Sequence, residues 1–168
     1  MTRPPTGPLT GPVALDASAV LTFLAREPGW EYVDERFEHG LISAVNFGEV
    51  LYKVAEEGSD PQETAVDLVS YGLQVMPVTA EHAARLPALR EVDRAARVAA
   101  GRSGPGQAAA RPDGRPSRRP NRRTLSLADL CCLALAWESG TPVVTGDRYW
   151  LTLDLPFPVV DYRDPPAR

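Results

Sequence analysis

LSLADLCCLALAWESGTPVVTGDRYW, from Leu125 to Trp150, carries one helix and one strand in the order that an α/β fold requires. Ser126 stands three residues before Asp129 at the head of an apolar run, the signature of a helix N-terminus. Leu127, Leu130, Cys131, Leu133, Ala134, Leu135 and Trp137 leave almost no polar face, which predicts a helix buried on most sides. Gly140, Thr141 and Pro142 end it, and Val143-Val144-Thr145 is a short β-branched strand stopped by Gly146. A helix running down and a strand running back return the chain to the edge where the helix began. Asp129 and Asp147 are therefore expected to be neighbours. They are either a cap and a turn residue, or half of a metal site.

The same grammar recurs upstream. Val13-Ala14-Leu15 is an apolar strand ending in Asp16, and a helix follows from Ala17, with Val20, Leu21 and Leu24 on one face. Pro28-Gly29 separates it from a second helix through Trp30, Val33 and Phe37. Leu41-Ile42 is the next strand, and Ser43 caps a helix over Ala44 to Glu56 that carries Asn46 and Glu49. Pro61 to Tyr71 forms a helix with Ala65, Leu68 and Val69 inward. Val75 to Val78 is an edge strand because it contains Pro77, and Thr79 caps a helix running towards Val98. Phe157 to Val160 makes the last strand. Strands alternating with helices predict a three-layer α/β/α sandwich around a parallel sheet of four to five strands.

A chain of 168 residues, 43% hydrophobic, suits one domain with a full core. The reading is a leader over 1–12, one domain over 13–163 and a tail over 164–168. No apolar run reaches the ~20 residues of a membrane span, and no secretion signal is recognisable, so no membrane is expected and the cytoplasm is the expected compartment. Cys131 and Cys132 are adjacent on a helix, poorly placed for a disulfide and without a second pair for zinc. The net charge of −4 hides an asymmetry: Arg94 to Arg123 holds nine arginines against one aspartate, so the remainder carries −12. Within that segment, 101–121 is rich in Gly, Pro and Arg and is expected to be a weakly ordered insertion. It is either a solvated segment shaped by composition, or a tether for RNA phosphates.

Parallel sheets bind ligands outside the carboxyl ends of their strands. Asp16 and Asp147 follow strands, while Glu49 and Asp129 lie in the early turns of helices, so all four can reach one edge of one sheet. Singly, each has an ordinary explanation as a cap, a turn residue or a solvated helix position. Together they repel one another, and a fold tolerates that mainly when a cation neutralises them. Hard oxygen ligands suit Mg²⁺ or Mn²⁺, which activate water and stabilise a leaving oxygen in phosphodiester hydrolysis. His39 and His82 are isolated, which leaves a Ser or Cys triad without a base.

Four motifs then fall in order: Leu15-Asp16-Ala17-Ser18; Ser43-Ala44-Val45-Asn46 with Glu49; Leu125-Ser126-Leu127-Ala128-Asp129; and Thr145-Gly146-Asp147-Arg148 with Trp150. In order and spacing they resemble the motifs of PIN-domain ribonucleases, and in particular the VapC toxins of bacterial toxin–antitoxin pairs. The resemblance implies a Mg²⁺-dependent endoribonuclease, usually a homodimer restrained by a cognate antitoxin. It implies Asp16 and Asp129 as principal metal ligands, Glu49 and Asp147 completing the acidic site, and Ser18, Asn46 and Thr145 orienting carboxylates or water. Ser126 is expected to cap its helix while Asp129 turns towards the metal. The segment before Leu125 is longer and richer in arginine than that family's usual connection. Two other classes stand beside this reading. One is a non-catalytic PIN-like module that binds RNA or assembles a complex. The other is a phosphoryl-transfer enzyme with Asp16 as nucleophile, weakened because Ser18 stands where a second aspartate would be needed.

Overall fold

The computed structural model describes residues 11–102 and 124–166. The expected leader up to residue 10 and nearly all of the expected insertion lie outside the described residues. Twelve elements follow in order among those described: β1 (Val13–Leu15), α1 (Ala17–Ala25), α2 (Trp30–Phe37), β2 (Gly40–Ser43), α3 (Ala44–Glu56), α4 (Pro61–Ser70), β3 (Gln74–Met76), α5 (Ala80–Arg102), α6 (Leu127–Ser139), β4 (Val143–Thr145), a 3₁₀ turn (Trp150–Thr152) and β5 (Val159–Asp161). Helix α5 runs through Gly101 and Arg102, the first two residues of the expected insertion. The alanines of Ala95 to Ala100 are good helix formers and carry the helix on.

All five strands pair in parallel in the order β3-β2-β1-β4-β5. Sequence order reverses between β1 and β4, which register Ala14 on Val143 and Leu15 on Val144. That reversal opens a crevice at the strands' carboxyl ends. The alternation of side chains along each strand divides the core in two. Val13, Leu15, Ile42, Val144 and Val160 face α1 to α4 through Val20, Val33, Phe37, Val50 and Leu68. Ala14 and Val143 face α5 and α6 through Leu89, Leu130, Cys132 and Leu133, with Trp150 fully buried beside them. The sandwich therefore has helices on both faces, as the alternating pattern predicts.

Three details of amphipathicity differ from the sequence reading, the first being Leu127, which lies in the opening turn of α6 and is exposed. Val69 is half exposed, because Leu68 alone fills the core position of α4. Leu24 is also exposed, since α1 buries Ala17, Ala19, Val20 and Thr22 instead. Helix α6 is the spine expected of it: Leu130 through Ala136 are all buried, its N-terminus closes with a capping box, and Gly140 ends it in the left-handed conformation at φ 63°. Among the described residues no helix is long and apolar enough to cross a membrane.

Candidate active site

Asp16 is the centre of the switch-point crevice. It occupies the N-cap position of α1, yet its side chain makes no capping bond; the carboxylate turns instead across the sheet edge. Three neutral donors receive it. Ser18 Oγ donates to Oδ2 at 2.6 Å, Thr145 Oγ1 donates to Oδ2 at 3.0 Å, and Asn46 Nδ2 donates to Oδ1 at 3.4 Å. Each donor is itself fixed. Ser43 Oγ donates to Asn46 Oδ1 at 2.5 Å and accepts from the Asn46 backbone N–H, so the amide can present only its nitrogen to Asp16. Ser18 Oγ accepts from the Gly146 N–H, and Thr145 Oγ1 accepts from the Asp147 N–H. Strand ends β1, β2 and β4 are thereby laced together around one carboxylate.

The charges nearby make that carboxylate costly. Burial pushes Asp16 up to about 6, Ser18 and Thr145 pull it back, and the like charges of Asp129 and Glu49 push further. Glu49 is raised by desolvation and by Asp129, against the opposing charge of Lys53. The buried thiol of Cys132 is held well above its usual range by desolvation and by Asp16, Asp129 and Glu49 together, so it stays protonated and is no nucleophile. Asp16, Glu49 and Asp129 thus share one field, where α3 packs against α6.

The fourth predicted acid is placed differently. Asp147 Oδ1 accepts from the Tyr149 N–H at 3.0 Å, an Asx turn, and Asp147 joins Asp16 through the Thr145 hydroxyl. Its field falls on Tyr149 and Arg163. Ser126 caps α6 as expected, and Asp129, expected to turn towards a metal, also closes its half of the cap. Oδ2 accepts from the Ser126 N–H at 2.6 Å while the Ser126 hydroxyl takes the Asp129 N–H, so both halves of the capping box are made. A carboxylate has two oxygens, and only one is needed there.

Sequence reasoning missed Asp161 and Asp93. Asp161 closes β5 and is 5% exposed; it accepts from Arg148 Nε at 3.1 Å and Arg163 Nε at 2.9 Å. The rule that singled out Asp16, an acid at the carboxyl end of a parallel strand, applies equally to Asp161. Asp93 lies wholly buried on α5 and accepts from the Tyr149 hydroxyl at 2.6 Å, which burial and that carboxylate push up to about 12. Its signal was an acid one turn after Leu89 in an apolar stripe.

Among the described residues no three His, Cys, Asp or Glu side chains stand close enough to enclose an ion. Mg²⁺ does not require that, because it keeps several waters and takes one or two carboxylates. Hard anionic oxygens, mutually repelling and with no arginine or lysine among the hydrogen-bond partners of Asp16, are a donor set that fits such a cation.

The family model described as PIN domain matches residues 13–154. No curated protein sequence matches the chain. A toxin–antitoxin complex from Klebsiella pneumoniae contains a chain of similar fold, at 16% identity and a TM-score of 0.61, covering 89% of this chain and 97% of that one. VapBC2 from Rickettsia felis, bound to a promoter DNA fragment, is similar at 12% identity and a TM-score of 0.55, covering 88% and 96%. FitAcB from Neisseria gonorrhoeae is similar at 16% identity and a TM-score of 0.56, covering 89% and 97%.

Proposed function

The chain belongs to the PIN-domain family, and on that premise we propose that it is a metal-dependent endoribonuclease and the toxin of a toxin–antitoxin pair. The observation that carries the reading is Asp16: a buried carboxylate held by three neutral donors, in the field of two further acids, at the topological switch point of a parallel sheet. In this reading Asp16 and Asp129 hold Mg²⁺ or Mn²⁺, and Glu49 and Asp147 complete the acidic site. When bound, the ion supplies an acidified water and offsets charge on the leaving oxygen. Ser18 and Thr145 favour the ionised form of Asp16, and with Asn46 they hold its two oxygens in place. Asp129 keeps Oδ2 on its cap and offers Oδ1, so the helix N-terminus and the site are built from one side chain. The rest of the reading is a cytoplasmic homodimer acting on RNA and restrained by a cognate antitoxin. The complexes named above support the antitoxin partner.

Purified protein incubated with total RNA tests this. Cleavage is expected in Mg²⁺ or Mn²⁺, lost in EDTA, and lost in Asp16→Asn and Asp129→Asn while their circular dichroism stays that of wild type. Full activity of either variant would remove the assigned roles. One observation favours a second reading, a non-catalytic module that binds RNA or assembles a complex: no three ligands enclose an ion among the described residues. A Mn²⁺ titration without saturable binding would favour it.

A further inference from the structure

The chemistry proposed above brings a polyanion to an edge lined with carboxylates, so something on that edge must attract phosphate. Lys53, one turn beyond Glu49 on α3, donates to Glu56 at 2.7 Å. Arg163 donates through Nε to Asp161 Oδ1, through Nη2 to Asp161 Oδ2, and through Nη2 to the Gly146 carbonyl. Both cations are spent on protein partners. Arg148 is not: among the described residues Nε alone is bonded, to Asp161 Oδ2, and the side chain is 71% exposed.

Two guanidinium groups share the single carboxylate of Asp161, so one positive charge of that trio is left over; the field of Asp147 falls on Arg163, which leaves Arg148 as the cation turned to solvent. Asp161 is registered on Thr145 across β4 and β5, which places the cluster outside the same strand ends as Asp16. Arg148 follows Asp147 directly. With Nε on Asp161, the edge between the two terminal nitrogens has no hydrogen-bond partner among the described residues, and that planar edge is the shape that takes two oxygens of one phosphate. A buried carboxylate that fixes Nε removes much of the rotamer freedom an exposed arginine would otherwise lose on binding.

We propose that Arg148, aimed by the buried Asp161, is a backbone-phosphate site for the RNA strand, seating a phosphate beside the one at the acidic centre. This rests on the ribonuclease reading. A mere surface ion pair with Asp161 would make Arg148 indifferent to RNA, and a site for an acidic peptide would respond to a protein partner only.

The test compares binding of a fluorescein-labelled, mixed-sequence 20-nucleotide RNA by Asp16→Asn and by Asp16→Asn/Arg148→Ala, measured by anisotropy in Mg²⁺ buffer over a salt series. Arg148→Ala is expected to weaken binding about tenfold at 0.1 M salt and to reduce the slope of log K against log salt by about 1. Arg148→Lys keeps the charge without the fork, so it should retain the slope and lose a few-fold in affinity. An unchanged slope in Arg148→Ala, with RNA still bound, overturns the phosphate site and leaves the ribonuclease reading standing. If Asp16→Asn still cleaves the RNA, or binds none, the ribonuclease reading falls and the site with it.

Discussion

Asp16 and Asp161 are the same residue at the same kind of place: one follows β1, the other closes β5, and they are 7% and 5% exposed. The protein treats them oppositely. Asp161 receives two arginines; burial pushes it up, but the side-chain and backbone bonds of Arg163 and the bond of Arg148 overcome that and leave it below the usual range. Among the described residues Asp16 receives only hydroxyls and an amide; it has two acids for neighbours and is pushed up to about 6. A buried carboxylate that the chain neutralises itself is a structural joint. One that the chain surrounds with fixed neutral donors and further acids is prepared for a charge from outside.

Substitution should therefore move stability in opposite directions at the two sites. In metal-free buffer at pH 8, ionised Asp16 costs about 3 kcal/mol relative to an ordinary aspartate. Asp16→Asn removes that cost, and its amide oxygen can still accept from Ser18 and Thr145. Its NH2 then faces the donating Asn46 amide and loses that one bond, a smaller loss, so its melting temperature should rise above wild type. Asp161→Ala should lose about 1–3 kcal/mol, less than for a wholly buried pair because both arginines reach solvent. Chemical denaturation at pH 8 checks both, and equal signs would break the comparison.

The pH dependences should diverge as well. A folded value raised to about 6 means the native state binds a proton the unfolded chain has released, so the cost of Asp16 is fully present above about 6 and fades as pH falls towards 4. The advantage of Asp16→Asn should shrink over that window. Asp161, held low, contributes stability that is present above the unfolded value and is lost as pH falls through its folded value. Melting curves from pH 8 to pH 4 for wild type and each variant would separate the two slopes.

The donors around Asp16 offer a smaller effect. Asn46→Ala leaves the acids in place but removes the amide that Ser43 orients, and should reduce RNA cleavage about 10–100-fold, the usual scale for a residue supporting a metal ligand. A loss no larger than twofold in steady-state cleavage would mean that Asn46 serves only the cap. At Gly146 the cost should be mainly structural: an added Cβ meets the Tyr162 hydroxyl and ring, so Gly146→Ala is expected to lose about 1–3 kcal/mol.

The layered parallel sheet was legible because its signals are local and repeated. Apolar triplets ending in Asp16 and near Asp147, a Ser-x-x-Asp head on α6, and Pro77 beside the edge strand all speak within a few residues. The grouping of Asp16, Glu49 and Asp129 was legible from topology, since parallel strands put their ends together. What escaped depends on contacts far apart in sequence. The pairing of Asp161 with Arg148 is set by how β5 docks on β4, and Tyr149 finds Asp93 from another helix, 56 residues away. Spacing marked Ser126 and Asp129 as a possible capping box but does not say whether both halves close.

The difference between the two aspartates is tested most directly by metal. Melting temperature is measured at pH 8 against increasing Mn²⁺ for wild type, Asp16→Asn and Arg148→Lys, which keeps the Asp161 cluster charged. Wild type and Arg148→Lys should rise saturably with Mn²⁺ and fall back on adding EDTA, while Asp16→Asn should not respond. An equal rise in Asp16→Asn, or no rise in wild type, would contradict the assignment of Asp16 as the carboxylate that awaits a cation.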